Sequence, residues 1–487
     1  MPPITRRVLL SSAATVVLAN PVGAQTKKPN IVFILADDMG SADLSCYGRP
    51  DLVTPNIDRL AATGIRFNQA YANSPVCTAS RVAIITGRYQ LRLPVGLEEP
   101  ISRTTAKAVG LPPDQPTLPS LLRKAGYGTT LIGKWHLGNL PEFGPLQSGY
   151  DHFYGFRSGG LDYYTHVGTN GAPDLWDDDA HIDPAGYTTD LFGNHALEVI
   201  AAYAQQAKPF LLSLHFNAPH WPWEARGDQA ESERLRGKNL HDFDGGTQDT
   251  YRKMITAMDE QVGRVMAALE QHGLARDTIV VFTSDNGGER YADTWPFTGR
   301  KTELLEGGLR IPALISWPAR LKPAVSEQVT ANMDWLPTLL AAAGTSPDPA
   351  YPPDGLDLMP HLDGAPPQPR SLFWRYKALW QRAVRIGDLK YLKIVDNTFL
   401  FDVAADPMER ANLKDRRPLD YARLTDAWTE WNAQMLPETE GSFTENFTGA
   451  ELADHIALHP VSAAPDPTLP SSQFPLGTTL SPFRAPP

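Results

Sequence analysis

Two pairs of oxygen-bearing side chains set the chemistry open to this chain. Asp37-Asp38 follows the apolar run Asn30–Ala36, and Asp285-Asn286 follows the apolar run Thr278–Ser284. Adjacent carboxylates repel each other unless a cation sits between them. Hard oxygen donors with no cysteine or histidine at ligand spacing favour Ca²⁺ or Mg²⁺ over zinc. One such pair is usually a turn or a helix cap. Two, each placed after an apolar strand, are harder to account for as turns alone. A third feature is Cys77, at the start of a run through Thr86 that reads as a helix closed by Gly87. Unpaired N–H groups and the positive dipole end favour a bound anion there. Arg81, one turn on, points back toward the same end. Read alone, the segment fits a small buried thiol equally well. Lys134 and His136 sit two apart in a stretch read as extended, which turns both to one side.

Cys77-Thr78-Ala79-Ser80-Arg81 resembles the maturation motif Cys-x-Pro-x-Arg of the formylglycine-dependent type I sulfatases, with Ala79 in place of the usual proline. Ile84-Ile85-Thr86-Gly87-Arg88 follows as it does in that family. The resemblance continues in order through Gly133-Lys134-Trp135-His136-Leu137-Gly138, Asn217-Ala218-Pro219-His220, Ser284-Asp285-Asn286-Gly287 and Lys301 ahead of Glu306-Gly307-Gly308. It implies an arylsulfatase-like hydrolase of the alkaline-phosphatase-like superfamily. In such enzymes the cysteine is oxidised to formylglycine, whose hydrate attacks sulfur and forms a covalent sulfo-enzyme intermediate. For this chain the resemblance implies one cation, Ca²⁺ ahead of Mg²⁺, held by Asp37, Asp38, Asp285, Asn286 and the converted Cys77. It implies Lys134 and Lys301 on the sulfate oxygens and Arg81 beside the nucleophile. His136 would take the proton whose loss expels sulfate, and His220 would protonate the leaving alcohol. The implied partners are a sulfate ester, aryl or sugar, and a formylglycine-generating maturation enzyme.

The residue types suit that chemistry. A sulfate ester gains negative charge on its oxygens as the S–O bond breaks, and fixed cations stabilise it without reorganisation. A hydrated aldehyde carries two hydroxyls on one carbon, so one attacks and the other restores the aldehyde. A phosphomonoesterase or phosphodiesterase of the same superfamily would carry Ser or Thr as nucleophile and two metals, which Cys77 and a single oxygen quartet argue against. An exported glycan-binding homologue that has lost conversion is the reading Ala79 leaves open.

The elements that must position these residues are legible as alternating runs. Strands read at Asn30–Ala36, 65–71, 128–134, 209–216, 278–284 and 311–316. Helices read at 55–63, 80–86, 117–125, 191–206, 250–272 and 334–343. This alternation predicts a doubly wound, mostly parallel α/β sheet flanked by helices, with ligands beyond the carboxyl ends of the strands. After a Pro-rich connector at 347–370, four short strands and a helix at 419–434 predict a smaller α+β subdomain over 371–436 with an antiparallel sheet. The catalytic domain is read as 25–346 and an extended Pro-rich tail as 437–487.

The N-terminus reads as an export signal. Arg6-Arg7, an apolar stretch to Ala19 and Val22-Gly23-Ala24 before Gln25 give a twin-arginine signal over 1–24. No later run is long and apolar enough to span a bilayer, so a periplasmic or secreted protein is expected, free of the membrane after cleavage. The net charge of −11 and the lack of a basic tract exclude nucleic acid as a partner. Only Cys46 and Cys77 are present. They could pair in an oxidising compartment, whereas conversion of Cys77 would leave Cys46 free and buried. Leu161-Asp162-Tyr163-Tyr164-Thr165-His166 and Trp176-Asp177-Asp178-Asp179 form an aromatic, acidic insertion that could rim a pocket and stack on sugar rings.

Overall fold

The computed structural model describes residues 28–101, 108–169, 171–206, 208–236 and 245–439. The signal read at 1–24 and nearly all of the tail read at 437–487 lie outside these residues. A ten-stranded sheet is built from β1 (Asn30–Ala36), β2 (Ile65–Phe67), β4 (Gly128–Lys134), β5 (His152–Phe156), β6 (Trp176–Asp177), β7 (Ala180–His181), β8 (Phe210–His215), β9 (Thr278–Ser284), β10 (Ala313–Ser316) and β11 (Ala324–Ser326). Its order is β11-β2-β10-β9-β1-β8-β4-β5-β6-β7. β3 (Ala70–Tyr71) pairs instead with β12 (Thr330–Ala331). A separate antiparallel sheet holds β13 (Ser371–Tyr376), β14 (Gln381–Ile386), β15 (Leu389–Ile394) and β16 (Asn397–Asp402).

The central strands β9, β1, β8, β4 and β5 are parallel, so their carboxyl ends share one edge. β1 is buried along its whole length. Its alternate residues serve two cores. Ile31, Phe33 and Leu35 face a layer with the helices Cys77–Thr86, Leu118–Lys124 and Trp335–Ala342. Val32, Ile34 and Ala36 face a layer with Pro55–Thr63, Thr188–Gln206 and Gln248–Gln271. Burial on both faces is why these strands read as continuous apolar runs. A third core joins the C-terminal sheet and its helix Pro418–Asn432 to Val76, Ala79 and Ala83 on the other side of the Cys77 helix. That helix is therefore buried at all ten positions.

Three departures from the sequence reading have local causes. The run 65–71 is two strands, because Asn68 N–H donates to Ser326 O and Gln69 O accepts from Thr330 N–H, which redirects the segment to a second sheet. β10 runs antiparallel to β9, returning along its edge after the long loop that carries Lys301. β5 to β7 were not expected, since a five-residue strand and a two-residue hairpin carry too little pattern to read.

Candidate active site

Register brings the acidic pairs together. Ala36 lies beside Ser284 in the parallel β1–β9 ladder, so the residues that follow each strand become neighbours. Asp38, in the left-handed region at φ 63°, donates its N–H to Asp285 Oδ1 at 3.2 Å. Asn286 Nδ2 donates to Asp38 Oδ1 at 2.7 Å. All four side chains are buried.

Cys77 is the first residue of its helix, after the extended Val76. Its Sγ lies 3.6 Å from Asp37 Oδ1 and 3.9 Å from Asp38 Oδ1. Ser80 holds the preceding turn, accepting from Ser74 N–H and donating to Ser74 O. The first helical bond runs from Ser80 N–H to Val76 O. The N–H of Ala79 precedes it, so a proline there would remove no helical bond. Arg81 reaches back as expected, donating through Nε to Asp285 Oδ2 at 2.9 Å and through Nη1 to Lys134 O at 3.1 Å.

The two lysines converge on the two aspartates. Lys134 Nζ, at the end of β4, bonds Asp37 Oδ2 at 2.6 Å, and Lys301 Nζ bonds Asp38 Oδ2 at 2.6 Å. Glu289, which sequence reasoning missed, lies 3.4 Å from Lys301. It follows Asp285-Asn286-Gly287-Gly288 directly, and that proximity was its only signal. Glu289 also lines a mainly polar cavity of about 360 Å³ with Arg290, Thr294, Thr298, Arg300 and Glu303.

The histidines arrive from different elements. The expectation that Lys134 and His136 face one side as alternate residues of an extended segment does not hold. The strand ends at Lys134, and His136 takes φ 54°. Its carbonyl accepts from Thr78 Oγ1 at 3.1 Å, which anchors it beside the Cys77 helix. Its Nε2 lies 3.3 Å from Ile101 O, and its buried Nδ1 has no hydrogen-bond partner. His220 presents Nε2 to Asp38 Oδ2 at 3.5 Å, with Nδ1 on Trp221 O at 2.6 Å. Gly159 and Gly160 close over the two rings, where a Cβ would come within 2.8 Å of His136 and 3.3 Å of His220.

Two rings of the aromatic insertion, Tyr163 and His166, are core rather than pocket rim. Tyr163 is fully buried, stacks on Tyr187 and bonds through its hydroxyl to Asn217 O and His220 O, both at 3.0 Å. His166 is likewise buried, with Nε2 on Gly186 O. Polar tips that can be satisfied internally let these large rings become core. Cys46 and Cys77 are not joined, and Cys46 is half-buried rather than buried.

Electrostatics of the site are those of crowded, desolvated charge. Burial and the Asp37 carboxylate push Asp285 up. Burial pushes Asp38 up as well, but Lys301, His220 and Lys134 outweigh it and hold the group well below the carboxylate range. Burial pushes the Cys77 thiol far up, with Lys134 and Lys301 only partly opposing. Burial, then Lys134 and Arg81, hold His136 neutral, and burial and Lys301 do the same to His220. Donor atoms of Asp37, Asp38, Cys77 and His220 lie within 4.8 Å of one another. The buried Oδ1 of Asn286 has no hydrogen-bond partner. An oxygen-rich cluster with an orphaned carbonyl oxygen fits a hard cation. The oxygens of Asp285 are engaged by Arg81 and by the N–H groups of Asp38 and Asn286.

The fold gathers buried carboxylates, lysines, histidines and a cysteine at the carboxyl ends of a parallel sheet. The Sulfatase family profile matches residues 29–345. The chain belongs to the sulfatase family of sulfuric ester hydrolases. It is 32% identical to human arylsulfatase A over 440 residues, covering 82% of this chain and 80% of the relative. It is 33% identical to rat N-acetylgalactosamine-6-sulfatase over 384 residues, covering 74% and 71%. Among solved structures, Ps i-CgsB in complex with k-i-k-neocarrahexaose superposes with a TM-score of 0.75 at 28% identity, covering 88% of this chain and 98% of that one. Among the described residues no helix is long and apolar enough to cross a membrane.

Proposed function

We propose that this protein hydrolyses sulfate monoesters of sugars after conversion of Cys77 to formylglycine, with one divalent cation, Ca²⁺ ahead of Mg²⁺. One observation supports the reading above all: donor atoms of Asp37, Asp38, Cys77 and His220 gather within 4.8 Å, and Lys134 and Lys301 are bonded to the two aspartates. Asp37, Asp38, Asp285, Asn286 and the converted Cys77 would hold the cation. When bound, it neutralises the aspartates and stabilises charge on the sulfate oxygens. The formylglycine, when formed, supplies a pair of hydroxyls on one carbon for attack and release.

The chain's own groups do the rest. Lys134 and Lys301 bind sulfate oxygens once the cation takes over the aspartates. Arg81 holds Asp285 and the end of β4 in place. His136, with its buried Nδ1 open, accepts the proton whose loss releases sulfate. His220 approaches from the Asp38–Lys301 side and, in its protonated form, would donate through Nε2 to the leaving alcohol. The polar cavity at Glu289 suits sugar hydroxyls better than a bare aryl ring. The sugar sulfatase and carbohydrate-bound relatives favour the same substrate class. The twin-arginine signal read at 1–24 would deliver the matured protein to the periplasm or the medium.

Mass spectrometry tests the nucleophile. The Cys77 peptide of active enzyme should be about 18 Da lighter than its unmodified form. Full activity with unmodified Cys77 would refute the proposal, as would preference for aryl phosphate over aryl sulfate. A leaving-group series tests the histidines. His220→Ala should lose most on sugar sulfates and little on activated aryl sulfates, whereas His136→Ala should lose similarly on both. Equal leaving-group sensitivity in the two variants would reverse the assignment.

A further inference from the structure

A second cluster of ligand-type side chains lies away from the active site, at the opposite end of β5. His152 begins that strand and pairs with Thr130, whereas Phe156 at its far end pairs with Lys134. His152 Nδ1 lies 2.9 Å from Asp178 Oδ1, on the turn between β6 and β7. That carboxylate also accepts from Phe153 N–H at 2.9 Å. His195, on the helix Thr188–Gln206, directs Nδ1 to Glu198 Oε2 at 3.0 Å and stacks on Tyr154 with centroids 4.2 Å apart. The two rings meet through Nε2 atoms only 2.8 Å apart.

This arrangement has a chemical consequence. A carboxylate at Nδ1 fixes the Nδ1–H tautomer and leaves the lone pair on Nε2. Here both rings are backed in that way, so two lone pairs face each other. The contact is repulsive unless an electrophile lies between them. Burial and the neighbouring His152 favour the neutral form of His195, which keeps its lone pair available. Tetrahedral metal–nitrogen bonds of about 2.0–2.1 Å place two nitrogens about 3.3–3.4 Å apart, so the pair would open by about half an ångström to admit an ion. The Asp177 and Asp178 carboxylates gather on the Nδ1 side of His152, at 3.8 and 2.9 Å, so they orient the ring and leave Nε2 to the ion.

We propose that His152 and His195 form a second, structural metal site that takes a borderline divalent cation, Zn²⁺ above all, between their Nε2 atoms, with Asp178 and Glu198 orienting the rings. Imidazole nitrogens suit Zn²⁺ and discriminate against Ca²⁺ and Mg²⁺. The ion would staple the sheet-edge hairpin of β6 and β7 to the helix Thr188–Gln206. It would steady β5, whose following loop carries the two glycines over His136 and His220. The site takes no part in hydrolysis and stands independently of the function proposed above.

The test is calorimetric titration of Zn²⁺ into the full chain already saturated with Ca²⁺, with thermal melts alongside. Wild type should bind one Zn²⁺ per chain more than either His152→Gln or His195→Gln, and Zn²⁺ should raise its Tm but not theirs. Hydrolysis by both variants should match wild type without zinc. Glu198→Gln, an exposed change that keeps both imidazoles, should weaken the Zn²⁺ Kd by about 10-fold or more. Equal zinc stoichiometry in wild type and both histidine variants would overturn the proposal. So would a wild-type Kd weaker than about 1 mM, with the pair holding only a shared proton.

Discussion

Two clusters of buried charge flank the Cys77 helix, and they are built on opposite principles. Where the segment Glu306–Leu309 meets the C-terminal sheet, Glu306 has both oxygens engaged. Lys390 Nζ donates to Oε1 at 2.9 Å, and Tyr71 Oη and Arg310 donate to Oε2 at 2.6 and 3.0 Å. Lys390 also pairs with Glu409 at 2.9 Å. Burial would raise the Glu306 carboxyl, but Lys390, Arg310 and Arg385 hold it low. At the strand ends, by contrast, Asp285 is pushed up, two histidines are held neutral, and Asn286 Oδ1 and His136 Nδ1 lack partners. Around Glu306 the carboxylate is fully engaged and ties two sheets together, and Glu409 at its rim is raised by burial, to about 7, with Oε1 lacking a hydrogen-bond partner apart from the Lys390 ion pair. A network with open atoms is ready for something to arrive, and groups shifted by desolvation are a mark of such places.

The largest effects should separate the two clusters. Cys77→Ala should cut turnover by more than about 10³-fold while leaving the melting curve nearly unchanged. Glu306→Ala should do the converse, removing about 3–5 kcal/mol of stability by leaving Lys390 and Arg310 partly unpaired. Turnover per folded molecule should change far less. Paired urea melts and rate measurements check both, and similar stability losses in the two variants would erase the distinction.

Next comes the cation. Chelation followed by Ca²⁺ at 100-fold over its Kd should restore about 2.7 kcal/mol of stability together with turnover. Asn286→Ala should reduce that Ca²⁺-dependent gain, whereas Lys390→Ala should not. Differential scanning calorimetry with and without Ca²⁺ decides the matter.

The third effect is a pH dependence at the seam. Burial raises Glu99 to about 8, with the Lys377 N–H at 2.7 Å opposing. The folded state thus holds this proton more tightly than the unfolded chain, whose carboxyl has its ordinary value of 4.5. The stabilisation is complete below pH 4.5 and is lost as pH rises through about 8. Melting temperatures at pH 5 and pH 9 should differ less in Glu99→Gln than in wild type. The smallest expected effect is that of Tyr163→Phe. Losing the hydroxyl bonds to Asn217 O and His220 O should cost about 1 kcal/mol and relax His220, so kcat should fall more for poor leaving groups than for activated ones.

Much of the strand-end cluster was legible because its members stand in short, conspicuous segments next to apolar runs. Asp37-Asp38, Cys77, Lys134, His220, Asp285-Asn286 and Lys301 could each be named. Glu289 could not, since a lone carboxylate carries no spacing that sets it apart, and Thr78 and Tyr163 were in view without the backbone contacts that define their roles. The Glu306 network was equally silent, because its ion pairs join residues as far apart as Glu306 and Lys390. The paired imidazoles of His152 and His195 are invisible for the same reason.

The sequence alone determined most of the central elements and the class of site. Uninterrupted apolar runs fix buried strands, turn residues fix their ends, and local spacing fixes which donors stand at each end, all within a few residues of one another. Only the tertiary structure decided how those ends meet. The β1–β9 register sets Asp38 against Asn286, a separation of 248 residues along the chain. The left-handed turn at His136 aims its ring, and internal bonding turns Tyr163 into core instead of a sugar platform. Propensity acts over a turn or a strand, whereas desolvation and charge pairing depend on what lies within a few ångströms, and that is settled only when the sheet closes.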